Sequence, residues 1–220
     1  PLILAGVEMI ISRKGQGFMI FAVCIASLSN LYFFYMIAMV TVVYVIVRLI
    51  LLYGTKLKAM LTTLSLIAAE AVIGVLLSGI IFLPMAKVFI SDSRISNGSN
   101  VGLFYPAEYY FALPKALLAG DWNYYRLFGL GAIGITIIYL ICVRSKSRIL
   151  KAMLGLSVIF LIFPIFGAIF NGFAYSSNRW SFAFSVIIGM GLIVVWDDLI
   201  DIRKTDAVVL ILLAAAVCLF

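Results

Sequence analysis

LFGLGAIGITIIYLICV (Leu127–Val143), RSKSR (Arg144–Arg148) and ILKAMLGLSVIFLIFPIFGAIF (Ile149–Phe170) decide the fold of this chain. A helix needs about 20 apolar residues to cross the hydrocarbon core of a bilayer. Two such stretches, parted by a short basic cluster, read as two membrane spans joined by a tight polar turn. The same alternation recurs along the sequence. The spans expected are Gly17–Asn30, Tyr32–Tyr53, Lys58–Pro84, Arg126–Val143, Ile149–Phe170 and Trp180–Trp196. Pro1–Ile11 and Ala207–Phe220 read as two truncated spans. The fold class expected is therefore all-α: a polytopic transmembrane helix bundle of about six complete and two truncated spans. The chain opens at Pro1 without a Met and stops at Phe220 inside an apolar run. The expectation is that residues 1–220 form one transmembrane domain, cut from a larger membrane protein.

Composition agrees. Hydrophobic residues make up 65% and charged residues 11% of the chain, against about 25% charged in a soluble domain. There is no His, which removes the commonest acid–base group at neutral pH and the commonest metal ligand. Cys24, Cys142 and Cys218 lie far apart in apolar stretches and read as small core residues rather than a disulfide framework. The net charge of +7 is not a nucleic-acid signature, because the cations sit in short linkers where they set topology. Arg13, Lys14, Arg48, Lys56, Lys58, Arg144, Lys146, Arg148, Lys151, Arg203 and Lys204 fall in alternate linkers. The opposite linkers hold only Lys87, Arg94, Lys115, Arg126 and Arg179. The richer side is expected to be cytoplasmic.

The outer side then carries two short turns, residues 30–35 and 171–180, and one long loop, residues 85–125. The loop is rich in aromatic residues (FYPAEYYFALPKALLAGDWNYYRLF) and reads as segments lying at the membrane interface, where Tyr and Trp are favoured. Asn97-Gly98-Ser99 has the spelling of a glycosylation acceptor and reads as an ordinary Asn-Gly turn.

Several local patterns bear on chemistry. Gly129-x-Gly131-x-x-Gly134 spells a dinucleotide fingerprint, but it opens a membrane span rather than following a strand. Close helix packing through small residues is the expected role, as for Gly74 and Ser78. Asp197-Asp198-x-x-Asp201 resembles a Mg²⁺–diphosphate sequence, yet Arg203 and Lys204 follow at once, and a self-neutralised linker is the simpler reading. No metal site is predicted. Glu70 lies near the middle of a span. An ionisable group there is costly and marks either a proton carrier or an interhelical hydrogen-bonding partner; the second is favoured. Arg48, near a span end, is expected to snorkel.

The turn NGFAYSSNRW (Asn171–Trp180) is the leading site candidate. Arg179 starts a span at the outer interface, and a guanidinium beside a helix start suits a phosphate at headgroup depth. Asn171, Tyr175, Ser177 and Asn178 add hydrogen-bonding groups within the same ten residues. An interfacial anchor made of Arg179 and Trp180 is the competing role. Lys115 and Arg126, on the long loop, are secondary candidates for phosphate or acceptor contacts.

SNLYFFY (Ser29–Tyr35), Leu83-Pro84 followed by Ser91–Arg94, FALPKALLAG (Phe111–Gly120) and FNGFAYSSNRWSF (Phe170–Phe182) occur in the order and spacing of a known family. Over nearly its whole length the chain resembles the YfhO family of bacterial multispanning membrane proteins. Ser176 stands where the family pattern has Pro, a change expected to loosen the turn. The resemblance implies a glycosyltransferase of the C-type membrane fold, with a polyprenyl-phosphate sugar as donor. It also implies a cell-envelope polymer of the teichoic or lipoteichoic type as anionic acceptor, and an active outer face in the bacterial cytoplasmic membrane. Arg179 would then hold the donor phosphate, with Asn178, Tyr175 and Asn171 in support. The family's catalytic carboxylate is implied to lie in an earlier outer loop; Asp92, Glu108 and Asp121 are the carboxylates on the expected side here. No cofactor is expected beyond the donor itself, and a divalent metal is left open. A lipid or sugar transporter and a non-catalytic scaffold for a partner enzyme are the alternatives.

Overall fold

A computed structural model describes residues 1–15, 17–91, 102–119, 128–173 and 175–218. Every regular element among them is helical. The chain divides into two compact units, Pro1–Gly98 and Ser99–Phe220.

The first unit contains α1 (Leu2–Ile11), α2 (Phe18–Ser29), α3 (Leu31–Tyr53), α4 (Leu57–Leu77) and α5 (Gly79–Ile90). At 1.5 Å per residue, the 23 residues of α3 and the 21 of α4 extend about 34 and 31 Å, enough to cross a bilayer core. Their outward faces are apolar: Val42, Ile46, Ile50, Leu61, Leu76 and Leu77 are all exposed, as suits helices in contact with lipid. The α2–α3 turn is fixed by Asn30, whose Oδ1 accepts from the Phe33 amide at 3.1 Å, a helix N-cap.

The small-residue face expected at Gly74 and Ser78 is where α2 packs on α4. A Cβ at Gly74 would lie 2.7 Å from the Ile20 carbonyl oxygen and 2.8 Å from Val23 Cβ, so only glycine admits this approach. One turn on, Ser27 Oγ donates to Ser78 Oγ at 2.7 Å. The expected single span Lys58–Pro84 is instead two helices. Ser78 caps α4, a new helix starts at Gly79, and Pro84 lies inside α5 rather than at a span end. The Ser78 hydroxyl bonds back to the Val75 carbonyl at 2.8 Å, and glycine at the next position lowers helix propensity.

The second unit contains α6 (Ala107–Ala119), α7 (Gly131–Val143), α8 (Arg148–Ile162), α9 (Pro164–Phe170), a 3₁₀ turn (Arg179–Ser181), α10 (Phe182–Val194), α11 (Trp196–Ile200) and α12 (Lys204–Cys218). The expected span Ile149–Phe170 is broken: α8 and α9 meet at a bend of 102°. The cause is local. Phe163 is extended (φ −105°, ψ 119°), the conformation that a following proline enforces. Two of the three glycines of the fingerprint-like motif act differently from expectation, while Gly134 is a buried close approach to Leu130. Gly129 and Gly131 have positive φ and shape the turn into α7, while the close contact on α7 is made from the other side by Gly191 of α10 against Ile137 and Ile141. Cys142 is exposed and Cys24 half-buried, so neither is a buried core residue.

Among the described residues, α3 and α4 are long and apolar enough to span a membrane, and α8 with α9 makes a third if the bent pair is one span. Leu2–Ile11, Phe18–Ser29, Gly79–Val88, Gly131–Val143 and Arg179–Val194 are shorter apolar helical stretches. The architecture among the described residues is that of an all-helical membrane protein.

Candidate functional site

The break between α8 and α9 creates the chemistry around the 171–181 turn. Ending a helix orphans its last carbonyls, and in apolar surroundings an unpaired carbonyl is costly. Two tyrosines of α6 supply donors. Tyr109 Oη donates to the Leu161 carbonyl at 2.9 Å and Tyr110 Oη to the Ile162 carbonyl at 2.8 Å. Tyr105 stacks on Tyr109 with ring centroids 4.0 Å apart, and its amide donates to Tyr110 Oη at 3.1 Å.

The turn is built onto this frame. Gly172 and Phe173 both take positive φ, 66° and 62°, and the Phe173 amide returns to the Ala168 carbonyl at 2.8 Å. Asn171 Nδ2 donates to the Tyr175 carbonyl at 2.9 Å, closing the turn across its neck. Ser176 Oγ donates to the Pro164 carbonyl at 3.1 Å; the residue expected to loosen the turn ties it to α9. Asn178 is 0% exposed. Its Nδ2 donates to Tyr109 Oη at 2.8 Å, and its Oδ1 accepts from Trp180 Nε1 at 3.2 Å. Trp180, itself buried, stacks on Phe170 at 5.2 Å. Gly167 lets these parts meet: a Cβ there would lie 2.8 Å from Tyr105 Oη and 3.1 Å from the Ser177 amide.

The four proposed donor-phosphate residues therefore share one turn but differ in access. Asn178 and Asn171 are buried, with their side-chain amides engaged in holding the turn. Tyr175 is exposed and Arg179 half-buried at the start of the 3₁₀ turn that leads into α10. Glu108, in the first turn of α6, is exposed and is the neighbour in sequence of Tyr109. Lys115, two turns further along α6, is exposed. Asp92, Asp121, Arg126 and the Asn97-Gly98-Ser99 pattern lie outside the described residues. Glu70 belongs to the first unit, half-buried, where Oε2 accepts from the Gly17 amide at 3.1 Å. The tyrosines of α6 were not singled out in the sequence, although Phe163-Pro164 forecasts the orphaned carbonyls that they serve.

Two ionic clusters were also missed. Arg48 does not snorkel alone. It forms a bidentate pair with Glu8, Nε–Oε1 2.8 Å and Nη2–Oε2 2.9 Å, and Tyr44 Oη donates to the same carboxylate at 2.8 Å. In the second unit, Arg144 pairs with Asp198 at 3.3 Å and with Asp206. Asp198 of the aspartate-rich sequence is thus engaged by arginine. The Tyr139 hydroxyl, with the Arg144 guanidinium, holds the Asp206 carboxyl below the usual carboxylate range. No group of three or more metal-ligating side chains occurs among the described residues.

The family model described as bacterial membrane protein YfhO matches residues 1–220, the whole chain. No curated protein and no solved structure matches it.

Proposed function

Because the chain belongs to the family of the bacterial membrane protein YfhO, and so is a membrane protein, we propose that it is the membrane part of a glycosyltransferase. Its donor is a polyprenyl-phosphate-linked sugar, and its acceptor an anionic cell-envelope polymer of the teichoic or lipoteichoic type, at the outer face of the cytoplasmic membrane. One observation carries the reading. The 171–181 turn is fixed by Asn178, Trp180 and Tyr109, and it carries one cation, Arg179, half-buried, and an exposed tyrosine, Tyr175. Preorganisation of this kind suits phosphate recognition, since a guanidinium carries charge and a planar set of donors to where leaving-group charge develops. Asn171 and Asn178 act as positioning residues. The sugar-transfer step also wants a carboxylate within reach of the acceptor hydroxyl. Glu108 is the described carboxylate nearest in sequence to the tyrosine frame.

The test is sugar transfer by the full-length protein, reconstituted with a polyprenyl-phosphate sugar and a glycerol-phosphate polymer. Arg179→Ala is expected to lower transfer by roughly 10²–10³-fold, the loss typical of one preorganised charge-stabilising donor. Arg179→Lys is expected to retain part of the activity, because the charge stays and the planar fork is lost. Undiminished transfer in Arg179→Ala would leave Arg179 as a membrane anchor.

A transport reading draws on a different observation, the Glu8–Arg48–Tyr44 cluster with Glu70 in the first unit. Ionisable groups within helical spans mark ion pathways. Ion-coupled uptake in liposomes that is lost in Glu8→Gln or Glu70→Gln would favour it.

A further inference from the structure

Within the first unit a cavity of about 1020 Å³ opens where α1 ends and α3 turns into α4. Three cations line it, Arg13, Lys56 and Lys58, all exposed. None of the three is in an ion pair among the described residues. The carboxylate in the wall is Glu70, and its Oε2 accepts from the Gly17 amide. Leu66, Ile10 and Ile11 make the lining apolar between the charged groups.

A second observation concerns how Arg13 is held there. Helix α1 ends with the Arg13 amide on the Ile10 carbonyl (3.1 Å) and the Lys14 amide on the Met9 carbonyl (3.0 Å), and Arg13 has φ 55°. This left-handed stop is the position that glycine normally fills. Arginine is strained there, and Gly15 and Gly17 follow within four residues. Strain retained at an ionic cavity points from geometry toward function.

A third observation gives the ligand its shape. A wholly different groove, of about 560 Å³, lies further along α3 and α4 and is walled by Phe34, Val42, Ile46, Leu64, Ala68 and Val72 among others. Its one hydroxyl, Thr41 Oγ1, is occupied by the Ile37 carbonyl at 2.8 Å. A cationic cavity thus lies where the end of α1 meets the α3–α4 turn, and an apolar groove runs along α3 and α4. We propose that this pair of features is a binding site for an anionic phospholipid, its phosphate among Arg13, Lys56 and Lys58 and an acyl chain in the groove between α3 and α4. The cations stand on the side where basic residues concentrate in the sequence, the side on which anionic lipids attract membrane-proximal Lys and Arg. This site is separate from the 171–181 turn and needs no glycosyl transfer.

The test is photolabelling of the full-length protein in nanodiscs, with a phosphatidylglycerol or a phosphatidylcholine carrying a photoreactive acyl chain. Labelling of α3 or α4 by the anionic probe is expected to exceed that by the zwitterionic probe, and excess unlabelled phosphatidylglycerol should displace it. Each cation removed should weaken it about fivefold, the contribution of one basic residue at an anionic surface. Arg13→Gly separates binding from folding. Glycine relieves the left-handed stop, so the thermal midpoint should hold or rise while labelling falls; Lys56→Gln with Lys58→Gln should lower labelling further. Equal labelling by the two probes, or undiminished labelling in the triple variant, would overturn the proposal. So would full displacement by inorganic phosphate at a concentration that spares bulk lipid, since the site would then take a free anion.

Discussion

The two units solve the problem of polar backbone in an apolar setting differently. In the first, α3 and α4 run without a break for 23 and 21 residues. Their backbone groups are satisfied within each helix, and polar side chains meet each other: Ser27 with Ser78, and Glu8 with Arg48 and Tyr44. In the second, the chain breaks at Phe163-Pro164, and side chains from α6 must complete the backbone: Tyr109 and Tyr110 take the Leu161 and Ile162 carbonyls. A continuous helix leaves little to organise around. A broken one demands donors from elsewhere, and those donors fix the turn that carries Arg179, the proposed phosphate ligand.

The largest break in that comparison is functional: the loss of transfer expected in Arg179→Ala, which keeps Asn178, Trp180 and Tyr109. Removing the frame should cost stability instead. Asn178→Ala would leave the Trp180 indole N–H without its buried acceptor, while Tyr109 Oη keeps its bond to the Leu161 carbonyl, a loss of roughly 1–3 kcal/mol. It is measurable as a lowered denaturation midpoint in detergent. Gly167→Ala pushes a methyl into Tyr105 and the Ser177 amide and should cost about 1–3 kcal/mol by overpacking; the same measurement checks it. Glu8→Gln probes the first unit. The Glu8 and Arg48 side chains are 37% and 30% exposed, so the pair is only partly desolvated and a loss of about 1 kcal/mol is expected.

The smallest effect is on pH dependence. The Asp206 carboxyl titrates below its ordinary value, held there by Tyr139 and Arg144. Its contribution is therefore full above the unfolded aspartate pKa of about 3.9 and is lost as pH falls through the lowered folded value. Asp206→Asn should flatten the acid limb of stability below about pH 4, read as thermal midpoint against pH, and leave the neutral region less stable but flat.

The helical membrane character was legible at once, because apolar runs parted by basic clusters need no tertiary context. So was a close-packing face on α4, since Gly74 and Ser78 sit one turn apart; that α2 fills it shows only in the fold. Where runs were continuous, helix breaks were harder to see. Residues 149–170 read as one span because hydropathy does not register the Phe163-Pro164 conformation, and residues 58–84 because Ser78-Gly79 is as apolar in setting as its surroundings. At the candidate site, Arg179 and the asparagines were visible as polar residues in an aromatic turn. Their division of labour was not, because it depends on Tyr109, some 70 residues earlier in the chain and brought close only by folding. Glu8 and Arg48 pair across 40 residues for the same reason.

The central claim is that the fixed turn presents Arg179 to a lipid phosphate. The most direct measurement is the binding of sugar-free polyprenyl phosphate to the wild-type protein and to Arg179→Ala, with thermal midpoints recorded on the same samples. The account predicts at least tenfold weaker binding in the variant under conditions where both samples are folded. Equal affinity in the two proteins would contradict it.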